Sequence, residues 1–386
     1  MEKSVKIDGA EFAEKAAGKG GGVTAEKTAG KGGGVTAEKA EGKGAGVAAE
    51  KAAGKGAGVA AEKAASKGAA DPARLTVSVS PHIRGAATTS KIMLMVLVAM
   101  LPAFVASIFL FGARAALVVV TCAAASVICE WVYEKAMKKP VTINDFSAIV
   151  TGVLLAFNLP VNVPLWQAVF GCIVAIILVK QLFGGLGKNF ANPAITARIV
   201  MFLAFSVSMM KAALPVDAAT GASVVDAISG ATPLALLARG DTAALPKITD
   251  MLLGLRGGAL GETCVIALLA GGIFLVATRI IKWHTPVAFI ATVFAFTAIL
   301  GQNPVYHVLS GGLLLGAIFM ATDYVTTPQT NAGRLVFGIG AGFLTVVFRI
   351  YGSYPEGVSF AILLMNILTP YINKFTENKP LGALKK

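Results

Sequence analysis

Residues 308–323 have the sequence VLSGGLLLGAIFMATD, and residues 148–160 have the sequence AIVTGVLLAFNLP. Both stretches are apolar and contain glycine, and both fall short of the ~20 residues that a straight helix needs to cross a bilayer. Short, glycine-interrupted segments at matching positions of two repeats indicate broken helices around a site near the middle of the membrane. The two stretches therefore predict a helical membrane protein made of two related halves.

Eight longer apolar stretches accompany these two. The ten predicted spans are 91–111, 115–133, 146–159, 164–184, 194–210, 261–281, 285–302, 306–321, 334–350 and 356–372. They divide five and five, and an odd number of spans in each half requires that the halves be inverted. We therefore predict an all-α polytopic membrane protein with about ten transmembrane helices in a 5+5 inverted repeat.

The composition agrees with a membrane protein. Of the 386 residues, 55% are hydrophobic and only 14% are charged, and the mean hydropathy is +0.73, whereas a soluble domain carries about 25% charged residues. The net charge of +13 comes from lysines spread along the N-terminal tail and at span ends, a pattern that predicts topology signals rather than nucleic-acid binding. Their placement predicts that both termini are cytoplasmic and that Thr232 lies on the external or periplasmic face.

The chain is predicted to have six segments. Residues 1–74 repeat a Lys/Gly/Ala-rich unit of 12 residues, which offers too little apolar surface to fold and is predicted to be disordered. The other segments are a juxtamembrane segment (75–90), the first five-helix repeat (91–210), an external loop (211–260), the second five-helix repeat (261–372) and a cytoplasmic tail (373–386).

The cysteines and histidines do not predict a metal or haem site. Cys122, Cys129, Cys172 and Cys264 lie within apolar spans without CxxC spacing, so we interpret them as packing residues. The three histidines all lie at predicted span edges, where none forms the i, i+4 pair of an in-membrane haem site.

Polar residues cluster where the short spans begin and end. Asn192-Pro193 is predicted to start the fifth span and to turn Arg198 toward the protein interior, where an ionisable group is costly and often functional. The glycine-rich residues 184–187 lack phosphate-loop spacing and are predicted to form a turn.

The sequence DAISGATP at residues 226–233 has its own local signals. Ser229-Gly230 predicts a tight turn, and Thr232-Pro233 predicts an N-cap followed by proline at the first helical position. A short helix, 234–239, would follow and end at Gly240. The Thr232 hydroxyl would then lie at a helix N-terminus, which favours an anionic group such as phosphate.

This motif carries a resemblance to a known family. Asp226, Ser229, Gly230, Ala231 and Thr232 match the flavinylation motif Asp-x-x-(Ser/Thr)-Gly-Ala-Thr of the Rnf and sodium-pumping quinone reductase complexes. Further segments resemble the D-subunit family of the Rnf complex, over about residues 78 to 380; they are 80–84, 187–194, 319–323, 354–357 and 365–366. The N-terminal repeats are not part of the family pattern.

The resemblance implies particular cofactors. FMN would be joined through its phosphate to Thr232 by a separate flavin transferase, and the family also carries a noncovalent riboflavin or second flavin in its membrane part. Its fold resembles the ammonium and urea transporter class. No residue is predicted to be catalytic or to bind a metal. Candidates for the second flavin site flank the short spans and are Thr151, Asn158, Asn192, Arg198, Thr322 and Asp323.

The function implied by the resemblance is electron carriage in the cytoplasmic membrane. The chain would pass electrons between flavins in a ferredoxin:NAD+ oxidoreductase that transports Na+ or H+, while the Rnf A, B, C, E and G subunits supply the other redox centres. Glu130, Asp145 and Asp323 are candidate ion-path residues or, alternatively, helix-end charges. Two alternatives remain open: the B subunit of a sodium-pumping NADH:quinone reductase, and a non-redox solute channel of the same shape.

Overall fold

A computed structural model describes residues 88–211, 213–215, 231–241, 243–352 and 357–377. Several sequence predictions lie outside the described residues. They concern the repeat tail, residues 75–87, the C-terminal residues 378–386, the segments 80–84 and 354–356, and Asp226, Ser229 and Gly230 of the flavinylation motif.

The first half of the described chain is a series of helices that follows the predicted spans closely. They are α1 (Thr89–Phe111), α2 (Ala113–Ala136), α3 (Ser147–Phe157), α4 (Leu165–Ile173), which continues as a π-helix (Val174–Gln181), α5 (Pro193–Ala204) and α6 (Ser206–Met209). The predicted fifth span is therefore interrupted at Phe205, whose backbone is not helical. Gly184, Gly185 and Gly187 have positive φ and form the predicted turn before α5.

Two short helices precede the second half, α7 (Pro233–Arg239) and α8 (Ile248–Leu253). The remaining elements are α9 (Val265–Ala277), α10 (His284–Ile299), α11 (Pro304–Leu309), α12 (Leu313–Leu315), which continues as a π-helix (Gly316–Met320), α13 (Asn331–Tyr351) and α14 (Val358–Thr376). Each of the ten predicted stretches contains helical residues. Among the described residues, α1, α2, α13 and α14 are long and apolar enough to cross a membrane, judged by length and composition.

The exposed surface of these helices is apolar. The Phe109 side chain is 83% exposed and Ile299 is 79% exposed, which is the arrangement expected of side chains that face lipid. The interior contains fully buried aromatic residues from both halves, among them Phe111, Phe157, Phe289 and Phe337. The all-helical architecture and the apolar exterior fit a polytopic membrane protein.

The eighth predicted span is broken where its two glycines predict a break. The helix α11 ends at Leu309, and Gly311 and Gly312 both have φ of 65°, a left-handed conformation that glycine adopts without steric cost. Arg349 of α13 donates from its guanidinium to the carbonyl oxygens of His307, Ser310 and Gly311. The freed backbone carbonyls at the break are therefore satisfied by a buried side chain instead of water.

The prediction that the third span is also glycine-interrupted is wrong, because α3 runs without a break through Gly152. This glycine serves helix packing. A Cβ atom at position 152 would lie 2.6 Å from the Cys122 carbonyl oxygen and 2.7 Å from Ser126 Oγ, both on α2. The end of α3 is covered by the segment before α9, since the Leu260 N–H donates to the Leu159 carbonyl (3.0 Å) and the Gly261 N–H donates to the Phe157 carbonyl (2.9 Å).

We expect Gly152→Ala to destabilise the protein by about 1–3 kcal/mol, because the added methyl group meets the backbone of α2, which cannot move aside without shifting the helix. The matched control is Gly340→Ala on α13, where the methyl group meets only the flexible end of Met365. The measurement is the thermal unfolding midpoint of both variants in detergent, with tryptophan fluorescence as the signal. Equal midpoints for the two variants would contradict the tight packing of α3 on α2.

Candidate functional site

A pocket of about 790 Å³ lies between the two halves of the helical bundle. This volume includes the solvent-open mouth of the pocket. Its walls are mostly apolar and come from α1, α3, the turn before α5, and the segments around α9 and α12. Its polar groups come from Ser147, Thr151, Lys180, Asn189, Asn192, Thr322, Asp323 and Tyr324.

Four of the six residues predicted for a second flavin line this single pocket. They are Thr151, Asn192, Thr322 and Asp323, which the chain contributes from three separate elements. The other two, Asn158 and Arg198, do not line it. The choice of residues that flank the short spans therefore selected four residues that line one cavity.

Asn192 links the pocket to both halves of the protein. Its Oδ1 accepts hydrogen bonds from the backbone N–H groups of Ala194 (3.0 Å) and Ile195 (3.4 Å), so it is the N-cap of α5, as predicted. Its Nδ2 donates to the carbonyl oxygen of Met320 (3.4 Å), at the end of the π-helical segment of the second half. One side chain thus starts a helix in the first half and holds the end of a helix in the second.

Arg198 turns into the protein interior, as predicted, and is 6% exposed. Its Nη1 donates to Asn158 Oδ1 (3.0 Å), at the end of α3, and to Ser359 Oγ (3.1 Å), at the start of α14. The Asn158 Nδ2 lies 3.7 Å from the Met320 sulfur. Arg198 and Asn158 therefore form a polar contact between helix ends, separate from the pocket.

A buried ion pair lies behind one wall of the pocket. Lys180 Nζ is 2.6 Å from Glu130 Oε1, and the two side chains are 3% and 0% exposed. Lys180 Nζ also donates to Ser147 Oγ (2.6 Å), and Gln181 Nε2 donates to Glu130 Oε1 (2.7 Å). Glu130, a predicted ion-path residue, therefore contacts a residue that lines the pocket. Its counter-ion Lys180 was not predicted. A lysine within an apolar span is the signal that identifies such a residue.

The hydrogen-bonded network extends from this pair in two directions. On one side Ser147 Oγ donates to Asp145 Oδ1 (2.6 Å), so Asp145 is joined to Lys180 through one hydroxyl. On the other side Gln181 Nε2 donates to Glu134 Oε1 (3.3 Å), which also accepts from Thr142 Oγ1 (2.5 Å). Two of the three predicted ion-path residues, Glu130 and Asp145, therefore belong to one continuous network.

Asp323, the third predicted ion-path residue, lies across the pocket. Its carboxylate oxygens accept from the Val325 N–H (3.5 Å) and from Thr326 Oγ1 (3.1 Å). Burial raises the pKa of this carboxyl above its ordinary value, and the hydrogen bonds act in the opposite direction.

Asn189 provides an unsatisfied acceptor in the pocket. Its Nδ2 donates to the Ala191 carbonyl (3.2 Å), while its Oδ1 is buried and has no hydrogen-bond partner among the described residues. A buried polar atom of this kind costs free energy unless something donates to it. Asn189 Oδ1 can therefore accept one further hydrogen bond.

Both π-helical segments border the pocket. Lys180 comes from the first and Phe319 from the second. Such segments are rare and often occur at functional sites. No signal in the sequence had predicted either of them.

Thr232 has the local structure that its sequence predicts. It is the N-cap of α7, with Pro233 at the first helical position, and its Oγ1 accepts a hydrogen bond from the Ala235 N–H (3.3 Å). The helix ends at Gly240, which has φ of 75°. The Thr232 side chain is half-buried.

The helix α7 rests on the break in the eighth stretch. Leu234 is 3% exposed and fits against Gly311, where its Cδ1 occupies the space that a Cβ atom would need. Thr232 therefore lies near one end of the broken stretch, and the pocket with Thr322 and Asp323 lies at the other end.

These features define the class of protein: an all-helical membrane protein with a largely apolar pocket, lined also by several polar side chains, between its halves, and a threonine-capped helix seated on a helix break. Comparison with known families is more specific. Residues 76–382 match the model of the NQR2, RnfD, RnfE family, and the chain belongs to this family.

Individual relatives are similar over most of their length. The chain is 46% identical over 314 residues to the D subunit of the Na+-translocating ferredoxin:NAD+ oxidoreductase complex of Acetobacterium woodii, covering 81% of this chain and 96% of the relative. It is 42% identical over 325 residues to the D subunit of the proton-translocating ferredoxin:NAD+ oxidoreductase complex of Clostridium ljungdahlii, covering 80% and 96%. It is 39% identical over 332 residues to the D subunit of the ion-translocating oxidoreductase complex of Stutzerimonas stutzeri, covering 76% and 92%.

We expect Lys180→Met to destabilise the protein by about 3–5 kcal/mol, because it leaves the Glu130 carboxylate buried without its counter-ion. The double variant Lys180→Met/Glu130→Gln removes both charges and should recover most of this loss. The measurement is a double-mutant cycle of thermal midpoints, with the exposed Lys135→Met as the control for loss of a lysine. Additive effects of the two substitutions would contradict the ion pair.

Proposed function

We propose that this chain is the membrane electron-carrier subunit of an ion-translocating ferredoxin:NAD+ oxidoreductase, the equivalent of the D subunits of these relatives. The observation that carries the proposal is a half-buried threonine that ends a flavinylation motif and caps a helix, in a chain that matches the NQR2, RnfD, RnfE family over residues 76–382. The chain is not catalytic alone. It works with the other subunits of such a complex, the Rnf A, B, C, E and G subunits, and with a flavin transferase that matures it.

The proposed topology is ten transmembrane spans in a 5+5 inverted repeat, similar to the ammonium and urea transporter class, in the cytoplasmic membrane. A correspondence between the halves supports the repeat. Lys180, near the end of the fourth span, binds the start of the third at Ser147 (2.6 Å). Arg349, near the end of the ninth span, binds the broken eighth at Ser310 (2.9 Å). Both termini would be cytoplasmic, and Thr232 would be external or periplasmic.

The first cofactor in this proposal is FMN, attached through its phosphate to the Thr232 oxygen. The seating of α7 supports the attachment, since Leu234 anchors the helix while the adjacent threonine stays half-buried at its start. Asp226, Ser229, Gly230 and Ala231 complete the motif. The flavin supplies the ability to carry electrons singly, and the protein supplies its position and electrostatic surroundings.

The second cofactor is a noncovalent flavin, riboflavin or a related molecule, held in the pocket between the two halves. The residues present fit such a group: apolar walls suit its ring system, and Asn189 Oδ1 provides an acceptor for an imide N–H. Lys180, Asn192, Thr151, Thr322 and Asp323 supply the other polar contacts. Arg198 and Asn158 would hold the helix ends between the two flavins.

The ion in this proposal is Na+ or H+, and the relatives' names include both. The network of Asp145, Ser147, Lys180 and Glu130 supports a route along the pocket wall, since its hydrogen bonds are continuous. Asp323 faces the same cavity from the other half. An ion path beside the second flavin would place transport next to electron transfer.

We expect Thr232→Val to abolish covalent FMN and electron flow while the membrane fold still assembles, because valine has no oxygen to form the ester. The measurement is mass spectrometry of a peptide spanning residues 212–239, in which the wild-type chain, expressed with its transferase, should carry the mass of FMN less water. Thr249→Val is the matched control, since Thr249 is an exposed threonine in the same external segment. Covalent flavin retained in the Thr232 variant would identify another acceptor.

The same preparations distinguish the proposed complex from its alternatives. Assembled wild-type complex should reduce NAD+ with reduced ferredoxin as donor. Quinone reduction by NADH without ferredoxin activity would identify the sodium-pumping quinone reductase, and a wild-type chain without any covalent flavin would favour a solute channel.

We expect Asn189→Leu to lower the noncovalent flavin retained after purification about fivefold to tenfold, because the pocket loses a buried acceptor. Covalent FMN on Thr232 should be unchanged in the same sample. Acid extraction followed by chromatography measures the first, and in-gel fluorescence measures the second. The exposed Asn144→Leu is the control, and equal flavin content in the two variants would exclude the pocket as the second site.

A further inference from the structure

A second pocket lies beside the first and has a different chemistry. Three basic side chains surround it, Arg279 and Lys282 from the turn between α9 and α10 and Arg334 from the start of α13. Hydroxyl groups complete its lining, from Thr285, Thr322, Tyr324 and Thr327. It contains about 450 Å³ of empty space.

The positive charge of this pocket is not neutralised within the described part of the chain. No carboxylate among the described residues forms a salt bridge with Arg279, Lys282 or Arg334. Lys282 Nζ donates to Asn331 Oδ1 (2.9 Å), and Arg334 Nε donates to the Pro328 carbonyl (3.0 Å). The Arg334 Nη1 is buried and has no hydrogen-bond partner among the described residues. The pocket therefore has unused donors that suit an anion.

The backbone at Arg279 sets the turn between α9 and α10. Arg279 follows the last turn of α9 with φ of 57°, the left-handed conformation for which glycine is the usual residue at this position. Lys138 has the same conformation after the end of α2, with φ of 53°, so this conformation alone does not mark a binding site. What indicates a site is that the turn places Arg279 in the pocket wall with Lys282 and Arg334.

The position of the pocket indicates the source of the anion. It lies at the ends of the apolar helices α9, α10 and α13, where a membrane protein meets the lipid headgroups. Trp283 and Tyr324 are 53% and 49% exposed beside it, as is typical of aromatic side chains at a membrane interface. Basic pockets between transmembrane helices bind the phosphate groups of anionic lipids.

We propose that Arg279, Lys282 and Arg334 form a binding site for the phosphate group of an anionic phospholipid. The cations contact the phosphate, and the acyl chains extend along the apolar faces of α9 and α10. Inorganic phosphate offers the same chemistry without the chains, and the experiment separates the two sources.

The test compares the full chain with Arg279→Gln/Lys282→Gln, reconstituted in nanodiscs of phosphatidylcholine containing a small fraction of phosphatidylglycerol. Native mass spectrometry after release into detergent counts the phosphatidylglycerol that stays bound. We expect about fivefold weaker retention for each cation removed. The control Lys135→Gln/Lys138→Gln removes two exposed lysines elsewhere and should retain the lipid like the wild type.

Two further measurements make the outcome decisive. Millimolar inorganic phosphate should neither displace the lipid nor raise the thermal midpoint of the wild type; if it does both, the site serves a soluble phosphate and the lipid proposal fails. The noncovalent flavin content should be the same in all variants. Equal lipid retention in the pocket and control variants, or loss of flavin with lipid retained, would overturn the proposal.

Discussion

The arrangement of the second half depends on how the carbonyl groups of a broken helix are satisfied without water. The chain stops being helical at Ser310, and the guanidinium of Arg349 donates to carbonyls at the end of α11 and within the break. An unsatisfied carbonyl at this depth would cost several kcal/mol. Because Arg349 removes this cost, two consecutive glycines can adopt the left-handed conformation, and the backbone leaves a depression at Gly311. The threonine-capped helix α7 rests in that depression through Leu234.

A second buried cation, Lys180, holds a helix end through side chains instead of backbone carbonyls. Lys180 holds the start of α3 through Ser147 and is balanced by Glu130, so a charge buried for structural reasons also gives the large pocket its polarity. A buried ion pair is rarely the most stable solution. The pair lies beside a cavity whose wall contains the unsatisfied amide oxygen of Asn189. A functional role therefore explains the pair better than a structural role does. The two cofactors of the proposed function would then lie at opposite ends of the broken eighth stretch, with Arg198, Asn158 and Asn192 bracing the helix ends between them.

The sequence was informative where structure depends on neighbouring residues. The caps at Asn192 and Thr232 were predicted correctly, because a cap is decided by a side chain and backbone groups within three residues of it. The helix break at Gly311 was predicted for the same reason. The break predicted at Gly152 was wrong, because glycine occurs both in helix breaks and where two helices pack closely. Only the contact of Gly152 with α2 distinguishes the two uses.

Contacts between residues that are far apart in the chain could not be predicted from the sequence. The pair of Lys180 with Glu130 joins residues on two different helices, and the basic pocket joins two turns that are far apart in the chain. Arg198 was correctly expected in the interior, yet its partners Asn158 and Ser359 could be known only from the packing of α3 and α14. Grouping residues by their nearness to the short spans collected four pocket residues and two that serve elsewhere.

The π-helical segment Val174–Gln181 has a consequence for how this protein can vary. Lys180 and Gln181 are consecutive, yet both are buried and both bind Glu130, although neighbouring residues on an α-helix point about 100° apart. Both side chains are long and meet at the same carboxylate from adjacent positions of the π-helix. Exposed residues such as Leu178 can be replaced without disturbing the contacts of Lys180 and Gln181 with Glu130. An insertion or deletion within the segment, in contrast, would disturb them. Loss of a single residue would return the segment to an α-helix and rotate the lysine away from its carboxylate, so the number of residues in this stretch is under stronger constraint than most of their identities.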